Sequence, residues 1–394
     1  MNRSRGGSTV VDPGGPAPGE TAGPDSRASA ERLLDDVRRL IEPELRAILD
    51  RLPESVRIIA GYHAGLWDAE GHHRTRPGKA LRPALALTCA RAAGDGPRTS
   101  EAVTTAAVAV ELLHDFSLLH DDVMDGDHTR RHRPAAWTVF GTGRAILTGD
   151  TLLGAALHTV AVSGPRAAEV LAEALLRLCR GQATDLALQA GTEQVDLPGC
   201  LAMAEDKTGA LLGCACQLGA MAAGAAPDIA TSYREFGCQL GVAFQLTDDL
   251  LGIWGDPAST GKPVGADVTS RKMTLPIVAA LTAENEASAE LSEHYAGRCR
   301  AATGTGPADG VPADGVPADG VPADGVPADG ERPADTEVAR VADLIERAGG
   351  RRWAQVEAER RATLALGALE RADPDPDAAD ELRLLVELAL RRNH

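Results

Sequence analysis

Three aspartates set into an otherwise apolar helix constrain this chain more than anything else in it. Glu111 to Pro134 reads ELLHDFSLLHDDVMDGDHTRRHRP, and Asp121, Asp122 and Asp125 lie at its centre. On a helix Asp121 and Asp125 stand one turn apart on one face, with Asp122 beside them. Like charges so close raise one another's pKa, so a helix that carries them needs a cation to offset them. Leu112, Leu113, Leu118 and Leu119 make the surroundings apolar, which turns the acids toward a cavity rather than bulk water. Hard oxygen donors suit Mg²⁺, with Mn²⁺ as the alternative. Because Mg²⁺ is held by few carboxylates together with waters and substrate phosphates, the cluster predicts a phosphorylated ligand. Arg130 and Arg131 follow, and paired guanidinium forks match phosphate oxygens. The plain alternative is a solvated acidic turn beside unrelated arginines.

A second acidic stretch answers the first. Phe244 to Asp256 reads FQLTDDLLGIWGD, with Asp248 and Asp249 adjacent in an apolar run, and two such helices facing each other would hold a metal cluster between them. Gly78, Lys79, Arg82 and Pro83 form G-K-x-x-R-P at a helix start, where glycine admits a ligand close to the backbone and the helix N-terminus favours an anion. A solvated basic turn is the competing reading. His114 lies seven residues before Asp121, two turns back on nearly the same face, and its alternative role is a hydrogen-bonded core histidine.

With the intact D-D-x-x-D, the second D-D pair, the G-D at Gly149–Asp150, GQATD at Gly181–Asp185 and K-T at Lys207–Thr208, the chain resembles the trans-prenyl diphosphate synthases of the polyprenyl synthetase family, bacterial geranylgeranyl diphosphate synthases in particular. The resemblance runs from about Glu31 to the C-terminus apart from one insertion. It implies the isoprenoid synthase fold, a homodimer, and three Mg²⁺ ions per site held by Asp121, Asp122, Asp125, Asp248 and Asp249. It assigns Lys79, Arg82, His114 and Arg131 to the diphosphate of isopentenyl diphosphate, and Arg130, Lys207 and Lys262 to the allylic diphosphate. Phe244 and Gln245 would line the reacting centre, with Thr208 and Lys272 also toward substrate. Asp121, Asp122, Asp125, Lys207, Gln245 and Asp248 would be the catalytic set. Lys262 and Lys272 frame a segment broken by Gly and Pro, which reads as a basic lid or as a surface connector. One departure stands out. The fifth position of the second motif is Gly252, and Asp256, two turns beyond Asp248, would replace the missing acid if the helix continues.

The implied activity is head-to-tail condensation of isopentenyl diphosphate with an allylic diphosphate, most readily to geranylgeranyl diphosphate, with farnesyl diphosphate the nearest alternative. Phe116, five residues before Asp121, suits a floor that limits chain length, and its neighbour Ser117 is small. A class I terpene cyclase also ionises a prenyl diphosphate on an acidic motif, but it needs no second diphosphate site. A catalytically silent regulatory subunit is expected to carry a damaged first motif, and here that motif is intact.

Composition narrows the setting. A formal charge of -17 over 394 residues argues against nucleic acid as a partner. Seven cysteines without C-x-x-C spacing argue for a reducing compartment, the cytoplasm, and against a disulfide framework or zinc site. Cys214 and Cys216 read as packing residues. No uninterrupted apolar run nears the roughly 20 residues of a membrane span, and no hydrophobic signal segment opens the chain. With aromatics at 3%, abundant Ala and Leu, and no alternating pattern, the expectation is all-α: one large helical bundle around a central active-site cavity. Residues 1–27 read as a disordered Gly/Pro-rich tail, a plain extension or, less simply, a peptide that docks to a shell or partner. Residues 28–394 read as the catalytic domain, interrupted at about 303–335 by an acidic PADGV repeat.

Overall fold

Helices form where Ala, Leu and Arg recur with helical spacing and stop at Gly or Pro. The structure, a computed structural model, describes residues 24–74, 80–94, 100–131, 133–190, 196–256, 264–301 and 335–390. Lys79, Lys262, most of the N-terminal tail and the PADGV repeat lie outside the described residues. The chain runs through α1 (Pro24–Asp50), α2 (Glu54–Ala64), α3 (Leu81–Ala93), α4 (Glu101–Met124), α5 (Ala136–Phe140), α6 (Thr142–Ala161), α7 (Pro165–Gln189) and α8 (Leu197–Ala204). A π-helical turn at Glu205–Gly209 joins α8 to α9 (Ala210–Ala222). There follow α10 (Pro227–Trp254), α11 (Ala266–Thr269), α12 (Leu275–Leu281), α13 (Glu286–Ala301), α14 (Asp335–Arg347), α15 (Gly350–Arg371) and α16 (Pro376–Leu390).

The all-α expectation holds, with two differences. α1 starts at Pro24 rather than near Ala28, because proline is tolerated in a first turn, where its missing N–H bonds to nothing in any case. The segment after α4 contains a two-residue antiparallel pair, β1 (Thr129–Arg130) with β2 (Arg133–Pro134), too short to show alternation.

α4, α9 and α10 form the centre. α4 packs on α6, α3 and α9, and α10 packs along α9 and α15. Leu112, Leu113 and Leu119 of α4 are fully buried, with Leu211, Leu212, Cys214 and Cys216 of α9 in the same core. Among the described residues α4 is the one helix long and apolar enough to cross a membrane, but 78% of its apolar window is buried inside the protein. Its hydrophobicity is spent on the core. A smaller cluster of Ile253, Val268, Ile277, Leu291 and Leu344 closes over the C-terminal end of α10 and holds α11 and α12 against it.

Candidate active site

At the end of α4 the three acids part company. Asp125 ends the helix, its N–H donating to the Asp121 carbonyl at 2.8 Å, and its side chain is exposed. Asp121 is half-buried, and burial first, then its neighbours Asp125 and Asp185, push its pKa up to about 6 against the pull of Lys207 and Arg130. Asp122 is 1% exposed, and Arg130 donates to its Oδ1 from Nε at 2.8 Å and again from Nη2. Its Oδ2 is buried with no hydrogen-bond partner. The hairpin β1–β2 aims Arg130 back along the chain at this carboxylate. Arg131, in the turn, takes the left-handed conformation at φ 52, and its Nη1 is buried without a partner.

A cationic corner lies above it on α3 and α4. Arg82 in the first turn of α3 places Nη1 3.0 Å from Nε2 of His114. Desolvation, then the charges of Arg82 and Arg131, hold the His114 imidazole well below its ordinary pKa. The ring is therefore neutral and accepts from Arg82 at Nε2.

The opposite wall is built on the π turn. Gly181 of α7 lets that turn come close, since a Cβ there would sit 2.6 Å from the Lys207 nitrogen. Arg177 and Arg180 grip Asp206 on its outer side, the first at 2.8 Å. On its inner side Lys207 Nζ donates to Asp185 Oδ2 at 2.7 Å, and Thr208 Oγ1 donates to Gln245 Oε1 at 2.7 Å. Burial alone would raise the Asp185 pKa, but Lys207 and Lys272 outweigh it and hold the group low. One turn before Asp185, Gln182 is 5% exposed with neither end of its amide hydrogen-bonded.

On α10 the expected metal ligands also diverge. Asp248 is half-buried, whereas Asp249 turns inward, taking Gln245 Nε2–H at 2.8 Å and the Leu275 N–H at 3.0 Å. Placing Asp249 among the metal ligands does not fit this orientation. Nor does Asp256 fill the gap at Gly252, because α10 ends at Trp254 and leaves Asp256 exposed beyond it. The space a side chain at 252 would need is taken by the carboxylate of Asp267, on which a Cβ there would collide. Burial pushes Lys272 down, but Asp185, Asp267, Asp125 and Asp249 together raise it, so this lysine stands among the acids of both helices.

Comparison with known proteins decides what such an assembly belongs to. The sequence pattern of the polyprenyl synthetase family matches residues 68–304. The chain belongs to the polyprenyl synthetase family. Two Mycobacterium tuberculosis relatives, a (2E,6E)-farnesyl diphosphate synthase and a geranylgeranyl diphosphate synthase, are each 39% identical to it, over 367 and 366 residues, covering 91% of this chain and 93% of theirs. A crystal structure of a polyprenyl synthetase from Streptomyces coelicolor superposes with a TM-score of 0.78 at 39% identity, over 91% of this chain and 99% of that one.

For this polyprenyl synthetase a divalent cation fits the residues present. The donors are carboxylates, the unpartnered Asp122 oxygen lies among them, and burial, then Asp125, raise the Asp121 pKa in a way that a bound cation would offset. Asp68, Glu70 and His72 also bring ligand-type atoms within 4.8 Å of one another. There Asp68 is spent on its own turn, accepting from the N–H groups of Glu70 and His72.

Below the acids, Phe116 is buried with its ring edge-on to His120 at 4.8 Å, and His120 reaches the Ile146 carbonyl at 3.0 Å. The Ser117 hydroxyl donates to the His114 carbonyl at 2.8 Å and takes no further space. The resemblance grouped Arg82 with His114, which the structure places in contact, whereas the Thr208–Gln245 hydrogen bond and the action of Lys207 and Lys272 together on Asp185 come from the structure. Sequence reasoning omitted Asp185 and Asp267 from the site, although GQATD marks the first and the stretch between Lys262 and Lys272 contains the second.

Proposed function

We propose that this polyprenyl synthetase condenses isopentenyl diphosphate with allylic diphosphates, head to tail, and stops mainly at geranylgeranyl diphosphate. The observation that carries the reading is cations on either side of one carboxylate cluster: Arg82 and Arg131, with the neutral His114 between them, on one wall, and Lys207 and Lys272 with Arg130 on the other. Two anionic substrates need two such places. A terpene cyclase needs one.

Asp121, Asp125 and Asp248, with Asp122 once Arg130 turns to substrate, offer the oxygen donors for Mg²⁺, which when bound neutralises the allylic diphosphate and draws electrons toward it. Arg130, Lys207 and Lys272 share the charge that develops on the leaving oxygen as the allylic C–O bond breaks. The Gln245 amide oxygen and the Thr208 hydroxyl face the electron-poor carbon, and the apolar wall of α4 keeps water from trapping it. Arg82, His114 and Arg131 hold isopentenyl diphosphate so that its double bond attacks that carbon. The new C–C bond leaves a cation that loses a proton, which the departed diphosphate accepts.

Chain length follows from α4. Phe116 lies about 7 to 8 Å along the helix axis from Asp121 at the standard rise, and Ser117 leaves the fourth position open. Relatives equally similar to this chain bear farnesyl and geranylgeranyl names, so the product is decided by these side chains and not by overall likeness. The second copy of a homodimer would cover α5 and α6, where Val139, Ile146 and Leu147 are exposed, the last at 56%. Free cysteines, five of the six described ones buried, suit a cytoplasmic setting.

The test is an assay of the purified chain with isopentenyl diphosphate, Mg²⁺ and each of dimethylallyl, geranyl and farnesyl diphosphate, with product chromatography. Farnesyl diphosphate should be consumed to a 20-carbon product. Accumulation of 15-carbon product with farnesyl diphosphate untouched would make it a farnesyl diphosphate synthase. No elongation of any primer would leave it a silent subunit, and hydrocarbon released without isopentenyl diphosphate would make it a cyclase.

A further inference from the structure

Asp249 is an acid of the second motif that uses both of its oxygens on protein donors. It is 6% exposed, and its Oδ2 accepts the N–H of Leu275, the first residue of α12, at 3.0 Å. That N–H is one of the donors a helix start leaves without an internal partner. Its Oδ1 accepts Nε2–H of Gln245, one turn earlier on α10, at 2.8 Å. Burial, then the charge of Asp267, push the Asp249 pKa up to about 7, and in the ionised form, with both oxygens accepting, it leaves the Gln245 amide one sense. Turned over, its carbonyl oxygen would meet the carboxylate head-on. In the sense that remains, Oε1 points away from Asp249 and takes the Thr208 hydroxyl at 2.7 Å. The chain from Leu275 through Asp249 and Gln245 to Thr208 thus ties the start of α12 to the π turn that carries Lys207. Asp248, the preceding residue, is half-buried and rotated about 100° around the helix.

We propose that Asp249 is a positioning residue that fixes the sense of the Gln245 amide, and through it the Thr208 hydroxyl, and is not a magnesium ligand. The inference rests on the prenyl-elongating function proposed above, in which the amide oxygen faces the electron-poor allylic carbon. Oxygen toward that carbon stabilises it, and NH₂ toward it opposes it.

The test is an exchange of partners. Asp249→Asn keeps an acceptor for Leu275 but offers an NH₂ to Gln245, which must then turn its oxygen inward. The Asp249→Asn/Gln245→Glu pair restores a donor facing an acceptor, with the second Glu oxygen free for Thr208. We expect Asp249→Asn to lower kcat by about 10- to 100-fold, in the range of a misplaced charge-stabilising group, with KM for both substrates near the parent. The exchanged pair should recover most of the loss and exceed both single variants. Binding of Mn²⁺ in the presence of inorganic diphosphate, counted by electron paramagnetic resonance without turnover, should be the same in parent and variants. Loss of a bound Mn²⁺ in Asp249→Asn would make the residue a ligand and overturn the proposal. An exchanged pair no faster than the better single variant would also overturn it. Should Asp249→Asn not fold, the exchanged pair compared with Gln245→Glu alone decides in the same way. A parent that elongates no primer would instead remove the functional reading beneath the proposal.

Discussion

The ends of α4 and α10 carry nearly the same letters and use them differently. In D-D-x-x-D on α4 the second acid, Asp122, is buried against a cation, Arg130, delivered by the hairpin that follows. In D-D-x-x-G on α10 the second acid, Asp249, is buried against neutral donors, an amide and a helix-start N–H. In the proposed reaction Arg130 leaves Asp122 for a diphosphate, which would free a carboxylate for metal. Gln245 and Leu275 have no such alternative. The fifth positions differ as well: Asp125 is exposed at the helix end, whereas Gly252 is empty and Asp267 brings its carboxylate there from α11. A motif's spacing therefore tells where carboxylates are, and the packing around each tells which of them remain available.

The largest expected effect separates the two helices directly. Asp121→Ala should reduce turnover by about 10²- to 10³-fold, as removal of a charge-stabilising group does in other enzymes, with an unchanged helical circular dichroism spectrum. Near-normal turnover would mean that α4 does not hold the metal. Gly252→Asp comes next. It completes the second motif on paper yet drives a side chain into Asp267, and overpacking of this kind costs about 1–3 kcal/mol. The melting temperature should fall by up to about 4 °C per kcal/mol, and adding Asp267→Gly should restore part of it. An active Gly252→Asp enzyme with an unchanged melting temperature would show that Asp267 is not fixed there.

Phe116→Ala sharpens the contrast from another side, since the proposed floor lies on α4 and not on α10. Products should lengthen by one five-carbon unit or more, read by chromatography, with turnover near the parent. An unchanged product distribution would move the floor to another helix. A smaller effect is expected at Asp206, a carboxylate held in a third way, by the two arginines of α7. Burial would raise its pKa, but Arg180 and Arg177 hold it below the ordinary value. A depressed acid stabilises the fold above its unfolded pKa, and the gain is lost as pH falls through the folded one. Asp206→Asn should therefore cost about 1–2 kcal/mol near pH 7. The gap from the parent should close below about pH 4, measured by denaturant unfolding. A gap that stays constant with pH would assign the loss to packing. The smallest effect is expected from deleting residues 307–330, where PADG and PADGV units supply no Leu, Ile, Phe, Met or aromatic side chain to pack. Activity and melting temperature should stay close to the parent.

Much of this was legible in the residues. Apolar spacing around Leu112, Leu113 and Leu119 gave α4 its type and its burial, but not the separate directions of its three acids. The grouping of Arg82 with His114 comes from the family resemblance; spacing alone leaves a solvated turn and a core histidine as alternatives. What could not be read is rotation and register. Adjacent residues such as Asp248 and Asp249 differ by 100° around the helix axis, and residue types do not say which of the two faces Leu275. Asp267 lies 15 residues after Gly252, and only the cluster of Ile253, Val268 and Ile277 that folds α11 onto α10 makes them neighbours. Helical spacing points to Asp256 only if the helix continues, and it stops at Trp254.

The π turn at Glu205–Gly209 has a consequence of another kind. Its wider ring of backbone bonds accommodates one residue more than an α-helix would over the same rise, and α9 leaves it out of phase with α8 by about 100°. Removing a single residue from this stretch would let the two helices merge into one continuous cylinder, conserving nearly every side chain yet turning Lys207 from Asp185 and Thr208 from Gln245. For this enzyme a one-codon deletion in EDKTG would be graver than most substitutions there, since the reading frame of the helix, more than its chemistry, brings these two residues to Asp185 and Gln245.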